Sequence, residues 1–195
     1  MSILKSIKGL IACVGLATLV SSCSYNTMVE KDEGVKKAWS QVENVYQRRA
    51  DLIPNLVETV KGYAAHEQGT LESVVEARAK ATSMTIDPSN LDEESLAKFQ
   101  QAQSQLGGAL SRLLAVQENY PDLKANETFR DLMTQLEGTE NRIAVERKKF
   151  NDAAGDYNTY IRMFPKNITA MIFGFKSKPY FQADEGAQKA PSVKF

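Results

Sequence analysis

Residues 35–63 read VKKAWSQVENVYQRRADLIPNLVETVKGY, and this stretch decides the fold. Its apolar positions recur in alternating steps of four and three residues, which places them on one face of an α helix. The stripe consists of Val35, Trp39, Val42, Tyr46, Arg49, Ile53, Leu56, Val60 and Tyr63. A narrow stripe of this period is typical of a helix that packs lengthwise against another helix.

The stripe contains a proline. Pro54 has no backbone N–H and its ring crowds the carbonyl of Ala50, so it predicts a kink within one helix. The alternative is two separate helices that meet at Pro54, but the stripe keeps its phase across it. The period continues through Leu71 to Arg78, which predicts helix over about residues 29–83, either continuous or broken near residues 62–69.

Two further stripes follow, each bounded by turn signals. Thr85–Ser89 predicts a turn, and Asn90 with Glu93 predicts a helix N-cap. The second stripe is Leu96, Phe99, Gln103, Leu106, Leu110, Leu113, Gln117 and Tyr120, and the third is Phe129, Leu132, Met133, Leu136, Glu140, Ile143, Arg147, Phe150, Ala154, Tyr157, Ile161 and Phe164. Long amphipathic segments with short turns predict an all-α fold, an elongated antiparallel up-down bundle of three to four long helices.

The first residues resemble a secretory signal. Lys5 and Lys8 precede an apolar run over residues 9–20, which is shorter than the roughly 20 apolar residues of a spanning helix. Val20-Ser21-Ser22-Cys23 then resembles the bacterial lipobox. The resemblance implies cleavage after Ser22 and acylation of Cys23, with palmitate-like chains that anchor stably when two or three are attached. The alternative is an uncleaved signal anchor.

The chain therefore divides into four predicted segments. Residues 1–22 are a lipoprotein signal peptide, 23–28 a tether, 29–182 the helical bundle, and 183–195 a tail with the composition of a disordered segment. Lys and Arg together number 24 and so do Asp and Glu. No basic excess is present, so a nucleic-acid partner is not expected.

Catalytic and metal-binding motifs are missing from the sequence. His66 is the one histidine, and it cannot supply the paired histidines of a zinc-protease or di-iron site. Both cysteines lie in the first 23 residues, and no phosphate loop or nucleophile elbow is present. We expect no cofactor, no bound metal and no enzymatic activity.

Five polar residues occupy seam positions where apolar side chains are expected: Arg49, Gln103, Gln117, Glu140 and Arg147. A buried charge is costly unless it is paired and hydrogen-bonded. We therefore expect a polar layer in which Arg49 meets a carboxylate, with Glu140 the first choice. The alternative is a buried ligand site around the same residues.

A last apolar set lies near the C-terminus and comprises Ile168, Met171, Ile172, Phe173 and Phe175. One interpretation is a cap folded over an end of the bundle. The other is a docking patch for a partner or a membrane.

Several motifs resemble those of the LemA family. The longest is WSQVENVYQRRADLIPNLV at residues 39–57, followed by ETVKGYA at 58–64 and His66-Glu67; later matches are ENYPDLKAN at 118–126 with Phe129 and Leu132, TENRIA at 139–144 with Arg147, Phe150 and Asn151, then Tyr157-Asn158 and Phe164-Pro165. The resemblance covers roughly residues 30–182. It implies a helical bundle at the bacterial membrane, with its bulk outside the cytoplasm.

The sequence thus predicts a non-catalytic, membrane-tethered interaction or scaffold module of the bacterial cell envelope. Its expected partners are membrane lipid, through acylated Cys23, and an envelope protein. Two alternatives stay open: an envelope enzyme or ligand-binding protein with a polar site around Arg49, Glu140 and Arg147, and a self-assembling structural rod.

Overall fold

The computed structural model describes residues 2–182, with side chains from Ser24 onward. Over that range the chain forms α helices, two 3-10 turns and no strand, which confirms the all-α prediction. The helices are α1 (Ser2–Tyr63), α2 (Gln68–Ser83), α3 (Glu93–Val116), α4 (Pro121–Ala125), α5 (Glu127–Arg162) and α6 (Lys166–Phe173), and the 3-10 turns are Pro88–Asn90 and Gln117–Asn119.

The first helical region is broken at residues 64–67, between α1 and α2. This break falls within residues 62–69, where the sequence left a break open. At its N-terminal side, the helix begins earlier than residue 29 and includes residues 23–28, the segment predicted as a tether. Met28 in that segment is fully buried. Packing therefore begins before residue 29, because Met28 continues the apolar face of Val35 and Trp39 by one more heptad.

Pro54 lies inside α1 and does not divide it. Because proline has no N–H, the carbonyl of Ala50 loses its usual helical donor. The structure supplies another donor: Arg78 Nε, on α2, donates a hydrogen bond to the Ala50 carbonyl oxygen over 2.8 Å. Pro54 therefore leaves the Ala50 carbonyl without a helical donor, and a side chain of α2 donates to it instead.

The starts of α3 and α5 are fixed by side-chain caps. Asp92, not the predicted Asn90, caps α3: its carboxylate accepts from the Ser95 N–H at 2.7 Å. Asn90 instead lies in the preceding 3-10 turn and donates to Asp87. Asn126 caps α5 by accepting from the Phe129 N–H at 2.8 Å. These caps satisfy N–H groups that lack helical acceptors.

The longest helices, α1 and α5, form the largest interface of the described residues. The chain runs in opposite directions along them, since Arg49 meets Glu140 while Tyr63 meets Asn126. Helix α2 folds back on α1, and α3 packs on α2. Helix α6 returns to the region of α1 around Tyr25, where Phe173 contacts Tyr25 with ring centroids 4.8 Å apart.

The core has two hydrophobic clusters, which we call the aliphatic half and the aromatic half. The aliphatic half contains Leu52, Ile53, Leu56, Val57, Val60, Ala64, Leu71, Val74, Ala81, Leu106, Ala109, Leu110, Leu113, Val116, Leu123, Phe129, Leu132 and Leu136. The aromatic half contains Met28, Val35, Trp39, Val42, Tyr46, Leu91, Leu96, Phe99, Ile143, Phe150, Ala154, Tyr157, Ile161, Ala170 and Phe181. Along α1, α3 and α5 the change from one half to the other falls at Arg49, Gln103 and Glu140.

Some predictions concern parts of the chain outside this description. The predicted tail, residues 183–195, lies outside the described residues, and so do the side chains of the predicted signal peptide and of Cys23. Within the part of the chain that the structure describes, no helix is both long enough and apolar enough to cross a membrane.

Candidate functional site

A groove of about 810 Å³ lies between α3 and α5. Small side chains form much of its α3 wall, at Ser104, Gly107, Gly108 and Ser111. A Cβ added at Gly107 or Gly108 would meet no atom within 4 Å, so this wall is open rather than closely packed. Helix α1 contributes Tyr46 and Arg49 to the lining, and α5 contributes polar and apolar residues that include Met133 and Glu140.

The polar layer lies against this groove. Arg49 is 4% exposed, and its Nη1 donates to Glu140 Oε1 over 2.7 Å. Its Nη2 donates to the side-chain oxygen and the main-chain carbonyl of Gln103. Gln103 in turn donates through Nε2 to the carbonyl of Ala81, 3.4 Å away. One buried guanidinium therefore links α1, α3 and α5, the three helices that border the groove.

The two partners in this ion pair differ in their exposure to solvent. The Arg49 side chain is 5% exposed while that of Glu140 is 52% exposed. The carboxylate therefore keeps much of its hydration, which lowers the cost of placing the ion pair beside the core. Arg49 Nε is buried and has no hydrogen-bond acceptor among the described residues.

Of the other two residues expected in the layer, Arg147 lines the same groove and Gln117 does not. Gln117 is half-buried in the 3-10 turn after α3 and does not line the groove with Arg49. It keeps the period of the α3 stripe, but α3 ends one residue before it. Arg147 lines the groove, and its Nη2 donates to the Gln182 carbonyl over 2.8 Å. Its guanidinium also lies over the Phe181 ring, 5.0 Å from the centroid.

Sequence reasoning missed a strap formed by residues 176–182, which lies along α5. Asn158 accepts from the Lys178 N–H and donates to the Lys178 carbonyl, both over 2.8 Å. Asn151 makes the same pair of bonds to the backbone of Phe181, at 2.8 and 3.0 Å. The seven residue steps from Asn151 to Asn158 rise about 10.5 Å along the helix. The three extended residue steps from Lys178 to Phe181 span about 10 Å, so the two asparagines are spaced to match the strap.

Two signals in the sequence could have indicated the strap. Asn151 and Asn158 are seven residues apart, and each directly follows a buried aromatic residue of the α5 seam. Phe181 is itself buried and stacks on Trp39, with ring centroids 6.0 Å apart. The strap ends at the rim of the groove, where Gln100 also donates to the Gln182 carbonyl over 2.8 Å.

An ion pair joins the strap to α1. Lys178 Nζ lies 2.9 Å from Asp32 Oδ1, and both side chains are largely buried. Burial acts to raise the pKa of the Asp32 carboxyl, but hydrogen bonds from Lys178 and Lys36 outweigh burial and hold that pKa below its usual value. Burial also raises the pKa of the neighbouring Tyr157 hydroxyl to about 12, with help from the Asp32 charge.

Metal chemistry finds no support in the part of the chain with described side chains. No group of three or more His, Cys, Asp or Glu residues there could hold a metal ion. His66 is exposed in the link between α1 and α2.

The comparison with protein families assigns this chain to a family. The LemA family model matches residues 38–195. The chain belongs to the LemA family. The motifs at residues 39–57, 118–126 and 139–144 lie within that match, so the resemblance drawn from the sequence is confirmed for this region. The lipoprotein signal peptide lies outside it and stays a prediction.

Among proteins similar to this chain, magnetosome protein MamQ 2 of Paramagnetospirillum magneticum is 33% identical over 184 residues, covering 86% of this chain and 67% of the relative. Magnetosome protein MamQ of Magnetospirillum gryphiswaldense is 32% identical over 174 residues, or 80% of this chain and 64% of the relative. Protein LemA of Metamycoplasma hominis is 23% identical over 175 residues, which cover 90% of this chain and 76% of the relative. The chain thus spans about two thirds of the MamQ proteins.

Proposed function

We propose that this LemA-family protein is a non-catalytic interaction module of the bacterial cell envelope, tethered to a membrane and exposed outside the cytoplasm. Its helices would form an elongated antiparallel up-down bundle that holds a partner-binding surface at a fixed distance from the tether. The similarity to LemA and to magnetosome proteins supports a membrane-associated, non-enzymatic role.

The observation that carries this proposal is the groove between α3 and α5. Its lining combines small residues on α3 with a charged pair, Arg49 and Glu140. A groove between two helices accepts a further helix when small residues let the backbones approach and a few polar groups fix its register. The proposed partner is therefore an envelope protein that inserts an amphipathic helix.

Site-specific crosslinking in intact cells tests the groove directly. A photoreactive amino acid at Ser104 or Ser111 should capture a protein partner, because both positions line the groove. The same amino acid at Lys61, an exposed position at the end of α1, should capture none. Adducts are detected by mass shift and identified by mass spectrometry.

A matched pair of glycine variants controls this experiment. Gly107→Phe should block the groove and abolish the adduct at Ser111. Gly138→Phe should leave it intact, because Gly138 is also helical and open to added atoms but does not line the groove. Equal adducts in the two variants, or capture of lipid alone at every groove position, would contradict the proposal.

The tether we propose is an acyl-modified Cys23. Cells fed an alkyne-tagged palmitate should incorporate it into the wild-type protein and into Cys13→Ser, but not into Cys23→Ser. The Cys13 variant is the matched control, because Cys13 has almost no apolar run before it. Unchanged labelling of Cys23→Ser, or a purified chain that still begins at Met1, would favour an uncleaved signal anchor.

A second function has one specific observation in its favour. Arg49 lines the groove, and its Nε is buried without a hydrogen-bond acceptor among the described residues. A shift of this side chain toward a carboxylate-bearing small ligand in the groove would complete its donor set. Isothermal titration with a library of dicarboxylates would test this alternative. Binding that is lost in Arg49→Met but retained in Arg147→Met would favour a ligand-binding protein over a protein-binding module.

A further inference from the structure

Most of the exposed large hydrophobic side chains of the described residues lie at the end of the molecule that contains α6. Twelve large hydrophobic side chains are exposed among the described residues, and eight of them lie at this end. They are Tyr25, Val29, Met163, Phe164, Ile168, Met171, Ile172 and Phe173. Phe164 is 81% exposed and Met171 is 77% exposed. Clusters of this kind mark surfaces that contact another apolar phase or a partner.

The charged residues of the segment around α6 are all basic, although α1 beside it contributes Glu30 and Glu33. Residues 157–183 contain Arg162, Lys166, Lys176 and Lys178 but no Asp or Glu. Lys178 is neutralised by Asp32, whereas Arg162 and Lys176 are exposed. Lys166 lies over the Tyr160 ring, with Nζ 3.8 Å from the centroid. An apolar segment whose own charged residues are all basic is complementary to an anionic lipid surface.

The position of α6 along the molecule points to the same occupant. Phe173 and Phe175 pack against Tyr25, with ring centroids 4.8 and 5.7 Å away. Tyr25 is two residues after Cys23 and follows the apolar run at residues 9–20. Only the inner face of α6, at Thr169 and Ala170, is buried against the bundle. The outer face is therefore held beside the segment that carries the proposed tether.

We propose that α6 and the residues before it, 163–173, form a second membrane contact that inserts between the headgroups of an anionic phospholipid bilayer. The N-terminal attachment delivers the domain to the membrane, so this inference rests on the proposed tether. The α6 contact then fixes the orientation of the bundle. The strap runs from α6 to the rim of the groove at Gln182, so the same contact sets how the groove faces the cell envelope.

Depth-dependent quenching tests the contact on the full chain. A fluorescent amino acid is incorporated at Ile172, which is 68% exposed, or at the control position Val75, which is 52% exposed on α2. Each protein is reconstituted into phosphatidylcholine vesicles with or without phosphatidylglycerol, and spin-labelled lipid is added. Quenching should be several-fold stronger at 172 than at 75. Equal quenching at the two positions would overturn the proposal.

Charge-reversed variants separate the basic border from a general charge effect. Arg162→Glu with Lys176→Glu should weaken the quenching at 172 in phosphatidylglycerol vesicles, since one basic residue near the surface contributes about fivefold in affinity. Lys61→Glu with Lys80→Glu makes the same change in net charge far from α6 and should have no effect. Intrinsic fluorescence of buried Trp39 reports that each variant is folded.

The outcomes also distinguish this contact from the tether. Vesicle flotation of the protein with no quenching at 172 leaves the tether standing and rejects the α6 contact. Failure to float rejects both. Fluorescence at 172 that changes with protein density but not with spin-labelled lipid would show that a second copy covers α6, and would overturn the membrane contact.

Discussion

The aliphatic half and the aromatic half of the core are built on the same three helices but use different packing. In the aliphatic half, short branched side chains of α1, α2, α3 and α5 fill the interior, with Phe129 as the single fully buried ring. In the aromatic half, Trp39 contacts Phe99, Phe150 and Phe181 with ring centroids 5.3 to 6.0 Å apart. One of those rings, Phe181, comes from the strap.

This difference shows what each half needs in order to close. Helix α2 packs against the aliphatic half, so that half is completed by a regular element. The aromatic half is instead completed by the strap, which is not helical, and by α6, which is a short helix. Arg49 and its partners separate the halves and border the groove. The aromatic half faces the proposed tether, and the aliphatic half is distant from it.

The largest expected effect comes from removing the ring at the centre of the aromatic half. Trp39→Ala should lower the free energy of unfolding by about 3–5 kcal/mol, and Leu56→Ala in the aliphatic half by about 2–5 kcal/mol. Both side chains are fully buried on α1. Urea denaturation of the full chain in detergent measures the loss.

Hydrogen exchange then tells the two variants apart. The Phe181 amide, which donates to Asn151, should exchange faster in Trp39→Ala by more than the global loss of stability explains. In Leu56→Ala it should follow the global loss alone. The same exchange behaviour in both variants would show that the two halves form one cooperative core.

The next effect concerns the attachment of the strap. Asn158→Ala removes two bonds to the Lys178 backbone and one to the Tyr180 hydroxyl. Buried backbone groups left without partners are costly, so the variant should lose about 3 kcal/mol of stability. Asn55→Ala, at an exposed position of α1, should change stability by less than about 0.5 kcal/mol. Limited proteolysis should cut the strap of Asn158→Ala first; cleavage at the wild-type rate would argue against this attachment.

The helical seams could be predicted because burial follows a period that the sequence displays. The seam positions 35, 39, 42, 46, 53, 56 and 60 are all buried. Because a charged residue in such a seam requires a partner, the sequence also pointed to Arg49 and Glu140. Gln117 kept the period but lies beyond the end of α3, because periodicity does not encode where a helix stops. The strap was missed because its own residues show no period, and the only trace of it in the helices is the spacing of Asn151 and Asn158 on α5.

An intermediate effect depends on pH and concerns the link between the strap and α1. The folded-state pKa of Asp32 is lowered relative to an unfolded value of about 3.9. Its ionised form therefore stabilises the fold above about pH 4, and this contribution is lost as the pH falls through the folded-state pKa. Asp32→Asn should cost about 2 kcal/mol at pH 7, and the cost should fall as the pH drops below about 4.

Asp152→Asn is the matched control for this titration. Asp152 pairs with Lys148 on the exposed face of α5, and such pairs contribute about 0.5 kcal/mol. Denaturation curves recorded from pH 7 to pH 3 compare the two variants. A penalty for Asp32→Asn that is constant across this range would mean that the carboxyl charge does not hold the strap.

The smallest effect lies in the aliphatic half, where Arg78 donates to the carbonyl that Pro54 leaves open. Arg78→Met should cost about 1 kcal/mol, because a partly buried carbonyl loses its donor. In a Pro54→Ala background, position 54 regains a backbone N–H that donates to the Ala50 carbonyl, so Arg78→Met should cost less. Urea denaturation of the four proteins of this cycle yields a coupling energy of about 0.5–1 kcal/mol. A coupling of zero would mean that Arg78 stabilises α1 only by packing, and the aliphatic half would then need no polar link between its helices.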